Sequence, residues 1–181
     1  NNKTMKIKSI IKAAFVAVAL FVSSVANAQD MKPEVFNFHK FVGLPTGAWS
    51  IDQKLDGVKV ERRRSNLTLS FAQAEGKKSP DYSVCINSKD EDVNAVRLLM
   101  GNTMKLSSEK NNITQVQFFY TTRAKAAYGK NYSMQPEGSY PGDKQYTYIW
   151  TGKSKTFELT NLTNKGGIEI HKIIVTCEPA E

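Results

Sequence analysis

Histidine and cysteine are scarce in this chain of 181 residues, and their scarcity narrows the chemistry open to it. The histidines are His39 and His171. A zinc site needs three or four ligands, and the sequence names no partners for this pair. The motifs H-E-x-x-H, C-x-x-C, G-x-S-x-G and the P-loop are all missing, so the sequence offers no recognisable metalloprotease, redox, hydrolase or nucleotide site. No catalytic residue and no cofactor is expected. The two cysteines, Cys85 and Cys177, allow one disulfide if the chain is exported, or two separate thiols buried as small hydrophobes.

Long hydrophobic runs are also lacking. The longest, Ala13–Val22, is shorter than the roughly 20 residues that span a bilayer. Lys6, Lys8 and Lys12 precede it, and Ala26-Asn27-Ala28 follows. That order predicts a signal peptide cleaved after Ala28. No cysteine follows the cleavage point, which argues against a lipid anchor. Residues 1–28 are expected to hold upstream residues and the leader, and residues 29–181 a single domain. The protein is expected to be exported, to the periplasm, the cell surface or the medium. The net charge of +8 falls to +4 once Lys3, Lys6, Lys8 and Lys12 leave with the leader. So mild an excess is ordinary for solubility and does not point to nucleic acid. No membrane span is expected after leader removal.

Helical periodicity is not sustained for three turns anywhere past residue 30. What recurs is alternation. Val58/Val60, Leu67/Leu69/Phe71, Tyr82/Val84/Ile86, Val96/Leu98/Met100, Met104/Leu106, Val116/Phe118/Tyr120, Tyr146/Tyr148/Trp150 and Phe157/Leu159 each mark one face of a strand. Val35–Phe41 is a further apolar stretch. Asp90–Leu99 fits a short helix or a turn plus a strand. The last strand holds Ile168, Ile170, Ile173 and Val175, and its phase slip predicts a β-bulge near His171-Lys172. Gly, Asn, Asp and Pro punctuate these runs. The expected fold is all-β, an antiparallel β-sandwich of jelly-roll type.

Candidate sites follow from residue chemistry. Sugar rings present flat C–H faces that pack on aromatic planes beside hydrogen-bonding groups. Trp49, Tyr128, Tyr132 and Tyr140 fall in turn-rich segments, with Asn131, Gln135 and Asp143 nearby. The last six belong to Arg123–Lys144, a stretch too long for a hairpin turn. These are the candidate ligand-binding residues, and amphipathic lids over the sandwich edges are the alternative. Trp150 continues the Tyr146/Tyr148 alternation and is expected in the core. Asp90-Glu91-Asp92 supplies hard oxygens for a structural Ca²⁺ or forms a solvated turn. Glu61-Arg62-Arg63-Arg64 offers guanidinium groups to phosphate, sulfate or uronate, or else is a charged edge strand or loop that discourages sheet aggregation.

The order of elements carries a resemblance. Pro80-Asp81-Tyr82, Ala95–Leu98, Gly101–Thr103, Ile113–Tyr120, Trp150-Thr151-Gly152 and Ile168–Val175 together resemble a small sandwich module of exported proteins from Bacteroidetes-type bacteria. That module is similar in architecture to galactose-binding-like and carbohydrate-binding jelly rolls, and it commonly accompanies catalytic domains. The resemblance implies a non-catalytic binding module, with a glycan as the leading partner. A surface or assembly protein that binds another protein is the alternative, and a glycan-active enzyme comes third.

Overall fold

The structure is a computed structural model that describes residues 31–45, 49–87, 89–121, 132–137, 147–164 and 166–180. Its strands are β1 (Glu34–Asn37), β2 (Lys59–Arg62), β3 (Leu67–Ala72), β4 (Asp81–Ile86), β5 (Asp92–Leu98), β6 (Thr103–Ser108), β7 (Asn111–Tyr120), β8 (Tyr132–Gln135), β9 (Thr147–Ser154), β10 (Thr156–Asn161) and β11 (Ile168–Pro179). They form two antiparallel sheets packed face to face, and no helix occurs among the described residues. One sheet runs β4-β5-β11-β7-β9 with β1 added to β11; the other runs β2-β3-β6-β10-β8. Among these described strands, β2–β3 and β4–β5 are the chain neighbours that pair, and the other successive strands lie in opposite sheets. This is the antiparallel β-sandwich that the alternation predicts.

Alternation builds the core because successive side chains face opposite sides of a strand. Leu67, Leu69 and Phe71 of β3, Met104 and Leu106 of β6, and Phe157 and Leu159 of β10 line one inner face. Val96 and Leu98, Val116 and Phe118, Trp150, and Ile168, Ile170, Ile173 and Val175 line the other. The predicted bulge is present: pairing of β11 with β7 shifts between Ile170 and Lys172, so His171 is the extra residue. The shift keeps Ile168 and Ile170 in phase with Ile173, Val175 and Cys177, all buried in one cluster.

Of the two readings of Asp90–Leu99, the turn followed by a strand is the one formed. Several other expectations need correction. Of Val35–Phe41 only Val35, Phe36 and Asn37 lie in a strand, because the chain turns back at Val42. Met100 lies beyond β5 in the turn and is exposed. Val84 and Ile86 share the phase of buried Tyr82, yet both are exposed, because β4 is the outermost strand of its sheet. Tyr132–Gln135 forms the edge strand β8 inside the stretch expected to be loop. Tyr146 lies outside the described residues.

Two turns explain why particular residues stand where they do. Gly101 has φ +81°, and a Cβ there would meet the Gly76 backbone at 2.5 Å. Next to it, Asn102 is fully buried and staples the turn. Its amide donates to the carbonyls of Gln73 (3.1 Å) and Lys78 (2.7 Å), and its Oδ1 accepts from Leu99 N–H (2.8 Å). In Trp150-Thr151-Gly152 the indole lies over Gly152, where a Cβ would come within 2.5 Å of the ring. The indole N–H donates to the Pro136 carbonyl at 2.9 Å, tying β9 to the end of β8.

Trp150→Ala should therefore cost about 3–5 kcal/mol, as large aromatic truncations in cores do. Gly152→Ala should cost about 1–3 kcal/mol by overpacking against the same ring. Urea denaturation midpoints check both; an unchanged midpoint for Gly152→Ala would show that the indole can move aside.

Candidate binding cleft

Of the aromatic residues proposed for ligand binding, the two among the described residues, Trp49 and Tyr132, do not come together. Trp49 is buried, stacked on Phe38 at 5.7 Å and edge-on to Phe71 and Tyr82 at 5.9 and 5.5 Å. It is a core residue and not a wall of a glycan site. Four buried rings give each other more contact than any one gains at a loop surface, and nothing in the turn-rich sequence around Trp49 reveals that company. Tyr132 lies on β8, half-buried against Tyr148 of β9 at 5.5 Å. Gln135, on the same strand, is exposed. Both stand at the β8–β9 edge of the sandwich, across β6 and β10 from Phe71 of β3, on which Trp49 packs. Tyr128, Asn131, Tyr140 and Asp143 lie outside the described residues.

The other candidates resolve plainly. Cys85 and Cys177 form no disulfide, and both are buried thiols. Cys177 faces the core, whereas Cys85 alternates with Tyr82 and points to the other side of its sheet. Burial, with the Glu34 charge nearby, pushes the Cys177 thiol up to about 11, so it stays protonated. Asp90-Glu91-Asp92 forms a turn closed by Asn87, whose Oδ1 accepts from the N–H groups of Lys89 (2.8 Å) and Glu91 (3.0 Å). Its amide donates to the Glu91 carboxylate at 2.9 Å. That is the solvated-turn reading. Among the described residues, no three His, Cys, Asp or Glu side chains gather as a metal site.

What the structure does bring together is the pair of histidines. β5 pairs with β11 only as far as Val96↔Ile170, and β1 takes over the same edge of β11 at Asn37↔Lys172. His171 sits between the two, in the bulge, and its carbonyl accepts from Phe38 N–H at 2.9 Å. The sheet forks there. β1 ends in a tight turn, closed by Asn37 N–H to Val42 O (2.8 Å) and Val42 N–H to Asn37 O (3.1 Å). The Tyr82 hydroxyl fastens that turn by donating to Phe38 O at 2.7 Å. His39, on the turn, fills the gap in the fork, and its Nδ1 accepts from Asn94 N–H of β5 at 3.1 Å.

The fork opens as a cleft of about 480 Å³ lined by Asn37, His39, Lys40, Asn87, Glu91, Asp92, Val93, His171 and Lys172. Three separate chain segments supply these side chains, so no local motif announces the site. Because Nδ1 of His39 is occupied as an acceptor, the neutral ring carries its proton on Nε2 and offers a donor. Burial, helped by the charge of Lys172 and by His39, lowers His171 to about 4 and keeps it neutral. Lys172 lies over the Phe119 ring at 3.7 Å from its centroid. Lys40 and Asp92 are exposed and add a cation and a carboxylate. The cleft thus mixes donors and acceptors without a dominant sign.

An ion ladder holds the strands on one side of the fork. Asp81, Arg97 and Glu169 are register partners on β4, β5 and β11. Arg97 grips Asp81 with two N–H groups at 3.0 and 2.8 Å, while Ser83 and Lys54 add bonds at 2.8 and 3.3 Å. Burial alone would raise the Asp81 carboxyl; Arg97, Ser83 and Lys54 outweigh it and hold it below the ordinary carboxylate value. Glu169 accepts from the Thr121 hydroxyl. Compared with known proteins, the chain matches no family model and no curated sequence.

The histidine sets a pH dependence. An unfolded chain takes up a proton at His171 near its ordinary 6.5, the folded chain only near 4. Between those values the unfolded state binds more protons, so stability falls as pH drops through that window and is level above it. Asp81 acts with the same sign lower down: its contribution is present above the ordinary 3.8 and is lost as pH falls through its depressed folded value. Urea denaturation at about pH 7.5, 5.5 and 4.5 should show a progressive loss, which His171→Gln should flatten. An equally steep loss in the variant would place its origin elsewhere.

Proposed function

We propose that this protein is a non-catalytic binding module for carbohydrate, with the cleft at the β1/β5 fork as its ligand surface. The observation that carries the reading is the lining of that cleft. A sugar hydroxyl is donor and acceptor at once, and neighbouring hydroxyls favour donors set beside acceptors. His39 offers Nε2–H, Lys40 an ammonium and Asp92 a carboxylate around one recess. The cleft has the size of a small-ligand site. The resemblance to exported sandwich modules of carbohydrate-binding type supports the same reading. His39 and His171 serve here as a hydrogen-bonding edge and a neutral wall, not as an acid–base pair. The proposed setting is extracytoplasmic, after removal of the leader.

A second reading, a protein partner, is favoured by one feature. Val84 and Ile86 of β4 are exposed, and so is Phe41, whose ring meets Tyr82 of that strand at 5.9 Å. Exposed apolar side chains grouped in this way suit a protein surface laid over them.

The test is retention in affinity gels over a panel of neutral polysaccharides. Lys40→Ala and Asp92→Asn are surface changes and should move stability by no more than about 0.5 kcal/mol. Each removes a hydrogen bond to a charged group and should weaken retention about tenfold. Tyr132→Ala, at the far edge, should leave retention unchanged. Retention lost with Tyr132→Ala but not with the cleft variants would move the site to the β8–β9 edge. No retention of the wild type on any glycan would favour the protein-partner reading.

A further inference from the structure

The basic run Glu61-Arg62-Arg63-Arg64 divides between the edge strand β2 and the turn that follows it. β2 ends at Arg62, and Arg63–Asn66 is a turn into β3, with Arg62 in register with Leu67 and Asn66 at φ +51°. A surface turn is ordinarily the loosest part of a hairpin, but this one is pinned from beneath. Ser65 is buried, and its carbonyl accepts from the Asn111 amide at 2.7 Å and from the Ser108 hydroxyl at 3.5 Å. Its own hydroxyl donates to Arg62 O at 3.3 Å. The turn that carries Arg63 and Arg64 is therefore fixed to β6 and β7 through the side chains of Ser108 and Asn111.

Arg62 is held as well. Its Nε donates to Glu34 at 2.9 Å, and Glu34 is largely buried at the start of β1 in the opposite sheet. This pair spans the sandwich rim and spends one of the guanidinium's five N–H donors. Arg63 and Arg64 are exposed, and neither makes an ion pair among the described residues. Together with Lys32 they line an open cleft of about 430 Å³, in which Glu34 and Glu61 are the acids and Glu34 is already paired. Cations thus outnumber acids, on a backbone that does not have to be ordered when a ligand arrives. Preorganised donors of this kind favour anions, and the planar guanidinium matches a carboxylate or sulfate through two parallel hydrogen bonds.

We propose that the cleft between Lys32 and the Arg62–Arg64 turn is a second ligand site, which takes the carboxylate or sulfate groups of an acidic polysaccharide. The assignment rests on the carbohydrate reading for the class of ligand, but its residues are separate from those of the fork cleft. A repeating acidic chain suits the cleft better than a lone anion, because Arg63 and Arg64 follow one another on the turn and Lys32 adds a third cation to the same lining.

The test measures retention of the protein on immobilised polygalacturonate and dextran sulfate, with unmodified dextran and duplex DNA as comparators. Arg63→Gln combined with Arg64→Gln removes the two exposed guanidinium groups. Lys77→Gln combined with Lys78→Gln removes the same charge from an exposed turn elsewhere. The arginine pair should weaken retention on an acidic polysaccharide about tenfold or more, and the lysine pair should leave it nearly unchanged. Retention on polygalacturonate assigns the site to carboxylates; retention on dextran sulfate alone assigns it to sulfates. Equal losses for the two pairs would overturn the proposal in favour of bulk charge. Duplex DNA held as tightly, and weakened by the same arginine pair, would overturn it in favour of a general polyanion surface. Absence of wild-type retention on both acidic polymers would also overturn it. Neutral-glycan retention that fails while the arginine-dependent retention persists would remove the fork cleft alone and leave this site standing.

Discussion

Everything in the larger sheet depends on β11. This strand, Ile168–Pro179, pairs with β7 along one edge and shares its other edge between β5 and β1. Two strands cannot occupy one edge continuously, so the ladder must break where they meet. The break falls at His171, and the bulge there serves two ends. It shifts the phase of alternation so that both halves of β11 stay buried, and it opens the fork that His39 fills from the neighbouring turn. A bulge raises local twist and leaves a residue out of the ladder. In this protein that residue is half of the only histidine pair in the chain.

The sandwich is stitched at its ends by buried polar side chains. Asn102 ties the β5–β6 turn to the 73–78 segment, Asn161 donates to Leu98 O, and Asn111 holds the Ser65 turn. Buried amides left without partners would cost about 1–3 kcal/mol each, so these contacts specify one arrangement of the turns and do more than add stability. The Asp81–Arg97 pair does the same within the sheet. Rigid turns are what the two clefts share: Tyr82 fastens the turn bearing His39, and Asn111 with Ser108 fastens the turn bearing Arg63 and Arg64. Recognition there starts from a nearly fixed surface, which lowers the entropy cost of binding.

Much of the fold was legible from residue order. Alternation located most strands, placed Trp150 in the core, and marked the slip at His171-Lys172. It misled at Val84 and Ile86, because periodicity reports which face a residue takes and not whether another sheet covers that face. It missed β8, whose Tyr132-Ser133-Met134-Gln135 is too short and polar to stand out from its surroundings. Trp49 was misread for a related reason: a Trp among turn residues looks exposed until Phe38, Phe71 and Tyr82 converge on it from three other segments. The candidate site was less legible still. His39 and His171 come together because β1 pairs with β11, and the remaining residues of the cleft are dispersed along the chain from Asn37 to Lys172.

Composition and alternation by themselves determined the class of this protein, because a period of two in short, turn-bounded runs is a local property that any sandwich needs. They also determined the bulge, since a phase slip within one strand is written in neighbouring residues. Only the tertiary structure decided which strands share an edge, which exposed residues line a cleft, and which cysteine faces which side of a sheet. Those depend on contacts between residues far apart in the chain, where loop closure and packing choose the partners. The arginine run shows the division in one segment. Its charge was visible in the sequence, but the contacts that pin its turn come from Ser108 and Asn111, more than forty residues away along the chain.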